Sequence, residues 1–192
     1  GIRSPADGYL QGVRELCDRH GILLIADEIM SGFGRTGEWF AVNHWGVVPD
    51  IMTMAKGLTS SYIPLGAVGL SPRVYRYFDE HVFYGGLTYN SHPLALAAAL
   101  ATIRVYEEDG LIEHAAKMGE VMARHHQELL DKHPSVGLVR NIGLFGIVEL
   151  VRSRETMQPL APFNGASDEM KAVAKHLDER GLFTMIRFNG IM

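Results

Sequence analysis

Apolar positions recur along this chain with two different periods, and the switches between them mark out its elements. In residues 7–20 (DGYLQGVRELCDRH) Leu10, Val13, Leu16 and Cys17 fall at helical spacing, with Asp7 expected to cap the helix and Gly21 to end it. After almost no loop comes an unbroken apolar run, Ile22 to Ile25, that stops at Asp27 and Glu28 and reads as a buried strand. A second run, Ile51 to Met54, comes after Pro49-Asp50 and stops at Ala55-Lys56-Gly57. A helix leading straight into an uninterrupted apolar strand predicts an α/β fold with a mostly parallel sheet and helices on both faces. A third short strand, Leu65 to Leu70, lies between Pro64 and the turn at Ser71-Pro72; its direction is not set by the pattern.

Residues 73–84 read as a short helix and loop, and an alanine-rich helix starts after His92-Pro93. The texture changes near Asp109-Gly110, which divides the chain into residues 1–109 and 110–192. The second part opens with a long amphipathic helix whose apolar side carries Leu111, Met118, Val121, Met122, Leu129 and Leu130. SVGLVRNIGLFGIVELV predicts a hairpin with a glycine-permitted bulge, RSRETMQPLAPFNGASD a long mobile loop, and residues 168–180 a helix capped by Ser167 and stopped by Gly181. The last stretch, FTMIRFNGIM, reads as a strand with no closing element. With no initiator methionine and this open final strand, the expectation is a fragment of a longer protein.

The chemistry gathers where the two parallel strands end. Ligands of open α/β sheets bind at the carboxyl ends of strands, where side chains leave the packed layer. An acid (Asp27) and an amine (Lys56) are expected to meet there, 29 residues apart. Apolar neighbours Met52, Met54 and Ala55 would favour the neutral, nucleophilic form of the amine, which suggests Schiff-base chemistry, and Asp27 would then hold a proton on a pyridine nitrogen. Between the strands, Gly32-Phe33-Gly34-Arg35-Thr36-Gly37 matches the dinucleotide pattern G-x-G-x-x-G. The segment after it, GEWFAVNHWGVVPD, has no helical period, and two acids stand before it, so a tight turn beside the site is favoured over a pyrophosphate cradle. Tyr84 to Pro93 (YGGLTYNSHP) ahead of the alanine-rich helix suits either a phosphate perch with Thr88 or a plain helix cap or turn.

LLIADEIMSGFGRTG, PDIMTMAKGLTS, PLGAV and GLTYNSHPLALAAAL, in this order and spacing, resemble consecutive motifs of the class III (omega, or ornithine-type) pyridoxal-phosphate aminotransferases. The resemblance is strongest over residues 1–110 and collinear to the end. It implies the fold type I architecture of pyridoxal-phosphate transferases, with residues 1–109 as the C-terminal half of the large cofactor-binding domain. Residues 110–192 would then be an incomplete, smaller α+β domain, and strand 65–70 the one antiparallel strand of the sheet. It implies pyridoxal 5'-phosphate as cofactor, Lys56 as catalytic residue, Asp27, Ile29 and Lys56 as cofactor contacts, and Thr88 reaching the neighbouring subunit's cofactor in a homodimer. The implied reaction is transfer of an amino group from a donor to a 2-oxo acid such as pyruvate. Met30, where ornithine-type members carry glutamine, leans the donor toward omega-amino acids, taurine or amines. An aminomutase, a decarboxylase or a non-catalytic fragment are the rival readings on the same residues.

Composition narrows the partners. Lysine and arginine (18) against aspartate and glutamate (22) give a net charge of −4 with signs mixed, so no nucleic-acid surface is expected. No apolar run nears the roughly 20 residues of a membrane helix, and a cytoplasmic protein is expected. The single cysteine, Cys17, reads as a packing residue. Trp39, Phe40 and Trp45 read as packing residues of the loop and His44 as a polar loop residue. His114, His125, His126 and His133 lack any paired-ligand spacing, so a solvated helix face and no metal are expected.

Overall fold

A buried carboxylate ties the first helix to the strands. In the computed structural model, which describes residues 3–192, helix α1 (Tyr9–His20) presents Arg14 to Asp50 at 2.9 Å. The same Asp50 oxygen accepts the Leu24 N–H at 2.8 Å, and Arg73 approaches its other oxygen at 3.5 Å. One acid thus fixes the helix, the entry to the first strand and the start of the second. Asp7 does not cap α1: the N-cap position belongs to Gly8, which has no side chain to offer, and the C-terminal cap is Gly21 at φ 68°. Cys17 is buried on the inner face, as a packing residue should be.

Strand β1 (Ile25–Asp27) pairs in parallel with β2 (Ile51–Met54), and β2 pairs antiparallel with β3 (Ala67–Leu70). Both outer strands are shorter than their apolar runs, because regular pairing covers only part of each run. Paired residues share a face, so Met52, Met54, Ala67 and Gly69 lie on one side and Ile25, Asp27, Thr53 and Val68 on the other. The first side carries a core of Phe33, Leu58 and Ala99, with Met54, Ala67 and Ile103 packed on it. The second is open: Ile25 and Val68 are about 60% exposed (59% and 61%). Helix α2 (Pro72–Tyr75) is a single turn, and α3 (Pro93–Glu108) brings Ala99 and Tyr106 to the core.

Packing divides the chain into one unit of Pro5–Ala116 and another formed by Lys117–Met192 together with Arg3 and Ser4, with the division inside helix α4 (Leu111–Lys132). In the second unit β4 (Val136–Ile142) and β5 (Phe145–Ser153) form the expected hairpin, with a register shift between Val136 and Leu138. The stretch after β5 is anchored where mobility was expected. Gln158–Pro159, strand β6, pairs with β5, and Ala161 is buried beside Val136, Val148, Leu150 and Met170. Helix α5 (Asp168–Asp178) is capped by Ser167, whose oxygen accepts the Met170 N–H at 3.2 Å. The final apolar stretch is two short strands, β7 (Ile186–Arg187) and β8 (Gly190–Ile191), turned at Phe188, and β8 completes the sheet against β5. His126 departs from the solvated helix face: it is half-buried against Gly146, and burial lowers its pKa.

The Leu24 N–H first, and then Arg14, hold the Asp50 carboxyl below its ordinary range. The folded state therefore binds fewer protons here than the unfolded chain, and the stabilisation is complete above about pH 4 and lost as pH falls through the lower folded value. Asp50→Asn, which leaves Arg14 without its buried partner, should cost about 3 kcal/mol in urea unfolding at neutral pH and should flatten the acid side of the stability curve.

Candidate active site

Alternation along β1 and the residue that follows it sends Asp27 and Glu28 to opposite sides. Asp27 is exposed on the open face of the sheet, where its Oδ1 accepts the Ile29 N–H at 3.0 Å. Glu28 turns the other way and is the largest fully buried side chain, 2% exposed. It accepts the Ser31 hydroxyl at 2.5 Å, the Ala41 N–H at 3.0 Å and the Val42 N–H at 2.9 Å. The two amides open a short 3₁₀ turn, Ala41–Trp45, so Glu28 closes the loop 29–42 onto the end of β1. The backbone continues the register for one more bond, Glu28 N–H to the Thr53 carbonyl at 3.0 Å.

At the matching end of β2 the chain turns sharply through Lys56–Leu58. Lys56 has φ 47°, the left-handed region that side-chain-bearing residues avoid at a cost of roughly 1–3 kcal/mol. Gly57 has no room for more: a Cβ there would stand 2.7 Å from the Phe33 Cβ. Lys56 is exposed, so the enclosure expected from Met52, Met54 and Ala55 is not what surrounds it. Met52 and Met54 stay in the sheet while the left-handed turn that begins after Ala55 carries the lysine out of it.

Lys56 lines a cavity of about 430 Å³ with Ile29, Phe33, Arg35, Ser60 and Tyr106. Phe33, Lys56, Ser60 and Ser61, four of the eight non-glycine residues with positive φ among the described residues, all border it. Backbone strain is concentrated here, as it is at sites that hold a group in a set orientation. Asp27 leaves the sheet at the same edge, on the open face, and does not line this cavity. Tyr106 donates to the Gly57 carbonyl at 2.8 Å, and burial raises its pKa.

The glycine-rich loop is a packing device. Gly34 and Gly37 have φ 85° and 86°, and a Cβ on them would meet Ile112 Cδ1 at 2.6 Å and Ala116 Cα at 3.0 Å. The loop leads into irregular turns, with no helix whose first N–H groups could receive a pyrophosphate. His44 holds Thr36 through its Nε2, 3.1 Å from the carbonyl, while Trp39 and Phe40 pack on the core. Thr88 is exposed in a turn; the N-cap of α3 is His92, which leaves Thr88 as a turn residue. Among the described residues no group of three or more acids, histidines or cysteines could hold a metal ion, and no helix is long and apolar enough to cross a membrane.

The family model described as Aminotransferase class-III matches residues 1–189. The chain belongs to the class-III aminotransferase family. Similar proteins of this class-III group include the taurine–pyruvate aminotransferase of Bilophila wadsworthia, 41% identical over 172 residues, covering 84% of this chain and 37% of the relative. The putrescine–pyruvate aminotransferase of Pseudomonas aeruginosa is 42% identical over 160 residues, covering 82% and 35%. Among solved structures, taurine:2-oxoglutarate aminotransferase from Bifidobacterium kashiwanohense, in complex with PLP and glutamate, superposes with a TM-score of 0.94 at 41% identity over all of this chain and 43% of the other. An (S)-enantioselective omega-transaminase from Thermomicrobium roseum gives 0.89 at 36% identity, over 100% of this chain and 42% of that one. The fold is therefore the fold type I α/β architecture of transaminases, and the chain spans about two fifths of these relatives (37% and 43% for the first of each kind).

Two contributors were not visible in the sequence. Burial of Glu28 could have been read from alternation, which forbids two successive strand residues from facing one site. Tyr106 gives no such signal, since its partner Gly57 lies 49 residues away. Glu28→Ala strips the acceptor from Ser31, Ala41 and Val42; it should cost about 2–4 kcal/mol in denaturant unfolding and speed amide exchange at Ala41 and Val42 ahead of the sheet.

Proposed function

We propose that the protein carrying this chain is a pyridoxal-phosphate-dependent aminotransferase that moves an amino group from an omega-amino acid, taurine or another amine to a 2-oxo acid such as pyruvate. The observation that carries this reading is the parallel register of β1 and β2, which brings Asp27 and Lys56 out at one sheet edge. Family membership and the names of the relatives support the same reaction class. Met30 and the taurine and putrescine relatives support the donor class.

The residues present suit the cofactor. They supply an exposed amine on a constrained turn, an exposed carboxylate with one oxygen already fixed by Ile29, and a branched apolar side chain between them in sequence. When bound, pyridoxal phosphate supplies an electron sink for the charge left on a substrate carbon that gives up its proton. Lys56 would hold the cofactor through Nζ, and the same Nζ would accept the proton from the donor carbon and return it, as base and then as acid. Asp27 would hold the proton on the cofactor's ring nitrogen, and Ile29, tied to Asp27 through its N–H, would pack against the ring.

Thr88 serves the phosphate of the neighbouring subunit's cofactor in a homodimer. Support comes from its surroundings: Phe83, Tyr84, Leu87 and Tyr89 are 66–96% exposed, an apolar patch suited to cover by protein. Residues 1–109 then belong to the large domain and 110–192 to the small one, and the protein works in the cytoplasm without nucleic-acid partners.

Borohydride reduction of the full-length protein with pyridoxal phosphate should place a pyridoxyl group on Lys56, as read by peptide mapping. Lys56→Ala should lower transamination with pyruvate by about 10²–10⁴-fold. Label on another lysine, or none, defeats the proposal. Lys56-dependent turnover of a donor without any need for a 2-oxo acid would replace it with a mutase or decarboxylase.

A further inference from the structure

The left-handed backbone of Lys56 needs something outside its own turn to hold it. Within the turn Leu58 N–H meets the Ala55 carbonyl at 3.1 Å, while Thr59 N–H to the Lys56 carbonyl and Ser60 N–H to the Gly57 carbonyl are longer, both 3.3 Å. A non-glycine residue in this region relaxes toward negative φ unless its surroundings over-determine it. Among the described residues, the one hydrogen bond reaching residues 56–58 from a distant side chain is that of Tyr106, whose hydroxyl meets the Gly57 carbonyl at 2.8 Å.

We propose that Tyr106 is a positioning residue for Lys56: its hydroxyl locks the Gly57 carbonyl and so fixes the left-handed backbone from which the Lys56 amine is presented. The inference rests on the reading that Lys56 is the working amine. Tyr106 is itself held firmly enough to do this. Its ring stacks on Phe33 with centroids 6.2 Å apart and planes 26° from parallel, and it meets Trp39 edge-on at 6.0 Å. Phe33 also packs against Gly57, so the stacked pair of rings contacts the residue after Lys56 through the Phe33 side chain and the Tyr106 hydroxyl. Burial keeps the Tyr106 hydroxyl protonated and donating well beyond neutral pH. Helix α3 thereby acts on the lysine through the Gly57 peptide, and small errors in the placement of a reacting group are costly in rate.

Tyr106→Phe removes the hydroxyl and keeps the ring in its stack. In the full-length protein, titration of the apo form with pyridoxal phosphate should show affinity reduced about five- to tenfold, the size of one lost hydrogen bond. Borohydride trapping on Lys56 should slow, and amide exchange should speed up at Gly57 to Ser60 alone. The thermal midpoint of the apo form should stay within about 4 °C of the parent. Unchanged affinity and trapping would overturn the proposal. So would a general loss, in which the midpoint drops further and exchange rises across the whole sheet, because Tyr106 would then be a core residue only. Failure to trap Lys56 in the parent protein is a different result and removes the functional reading itself.

Discussion

The parallel pairing of Ile25–Asp27 with Ile51–Met54 is the constraint on which the site depends. Two strands running the same way end at the same edge, so an acid that terminates one and a lysine that comes after the other both leave the sheet there, with Asp27 on the open face and outside the cavity that Lys56 lines. Asp50 protects this arrangement from the opposite end. By binding the Leu24 N–H, Arg14 and Arg73 it sets where both strands begin and keeps α1 over them. A slip of one residue would exchange Asp27 with Glu28 between the two faces of the sheet and bury the wrong carboxylate.

From that edge the chain spends stability on conformation. Lys56, Phe33, Ser60 and Ser61 all adopt positive φ around one cavity, while Glu28 and Tyr106 supply the bonds that keep the surrounding loops in place. The division of labour is clear in the two neighbouring acids. Asp27 faces outward with one oxygen engaged by Ile29, whereas Glu28 is wholly absorbed by three donors and serves the loop. The glycines of GFGRTG contribute in a third way, by letting a loop lie against the first turns of α4.

Local signals were legible in the sequence. The period of α4, the apolar run of β2 and the Ser167 cap of α5 each depend on residues within a few positions of one another, and each stands where the pattern placed it. The motifs around Asp27 and Lys56 were legible by resemblance. The features that escaped reading depend on distant contacts. The segment after β5 looks polar and loose but is pinned by strand pairing and by burial of Ala161, and the final stretch is folded back on itself because β5 offers it an edge. The cap of α1 went to Gly8 because the chain enters that helix one residue after Asp7. The exposed state of Lys56 results from a single backbone angle that no composition rule predicts.

The central requirement is that Asp27 and Lys56 serve one ring. In the full-length protein loaded with pyridoxal phosphate enriched in nitrogen-15 at the ring, the nitrogen resonance should report a protonated pyridine, and Asp27→Asn should move it to the unprotonated position. An unprotonated nitrogen in the parent, or a resonance indifferent to Asp27→Asn, would contradict it.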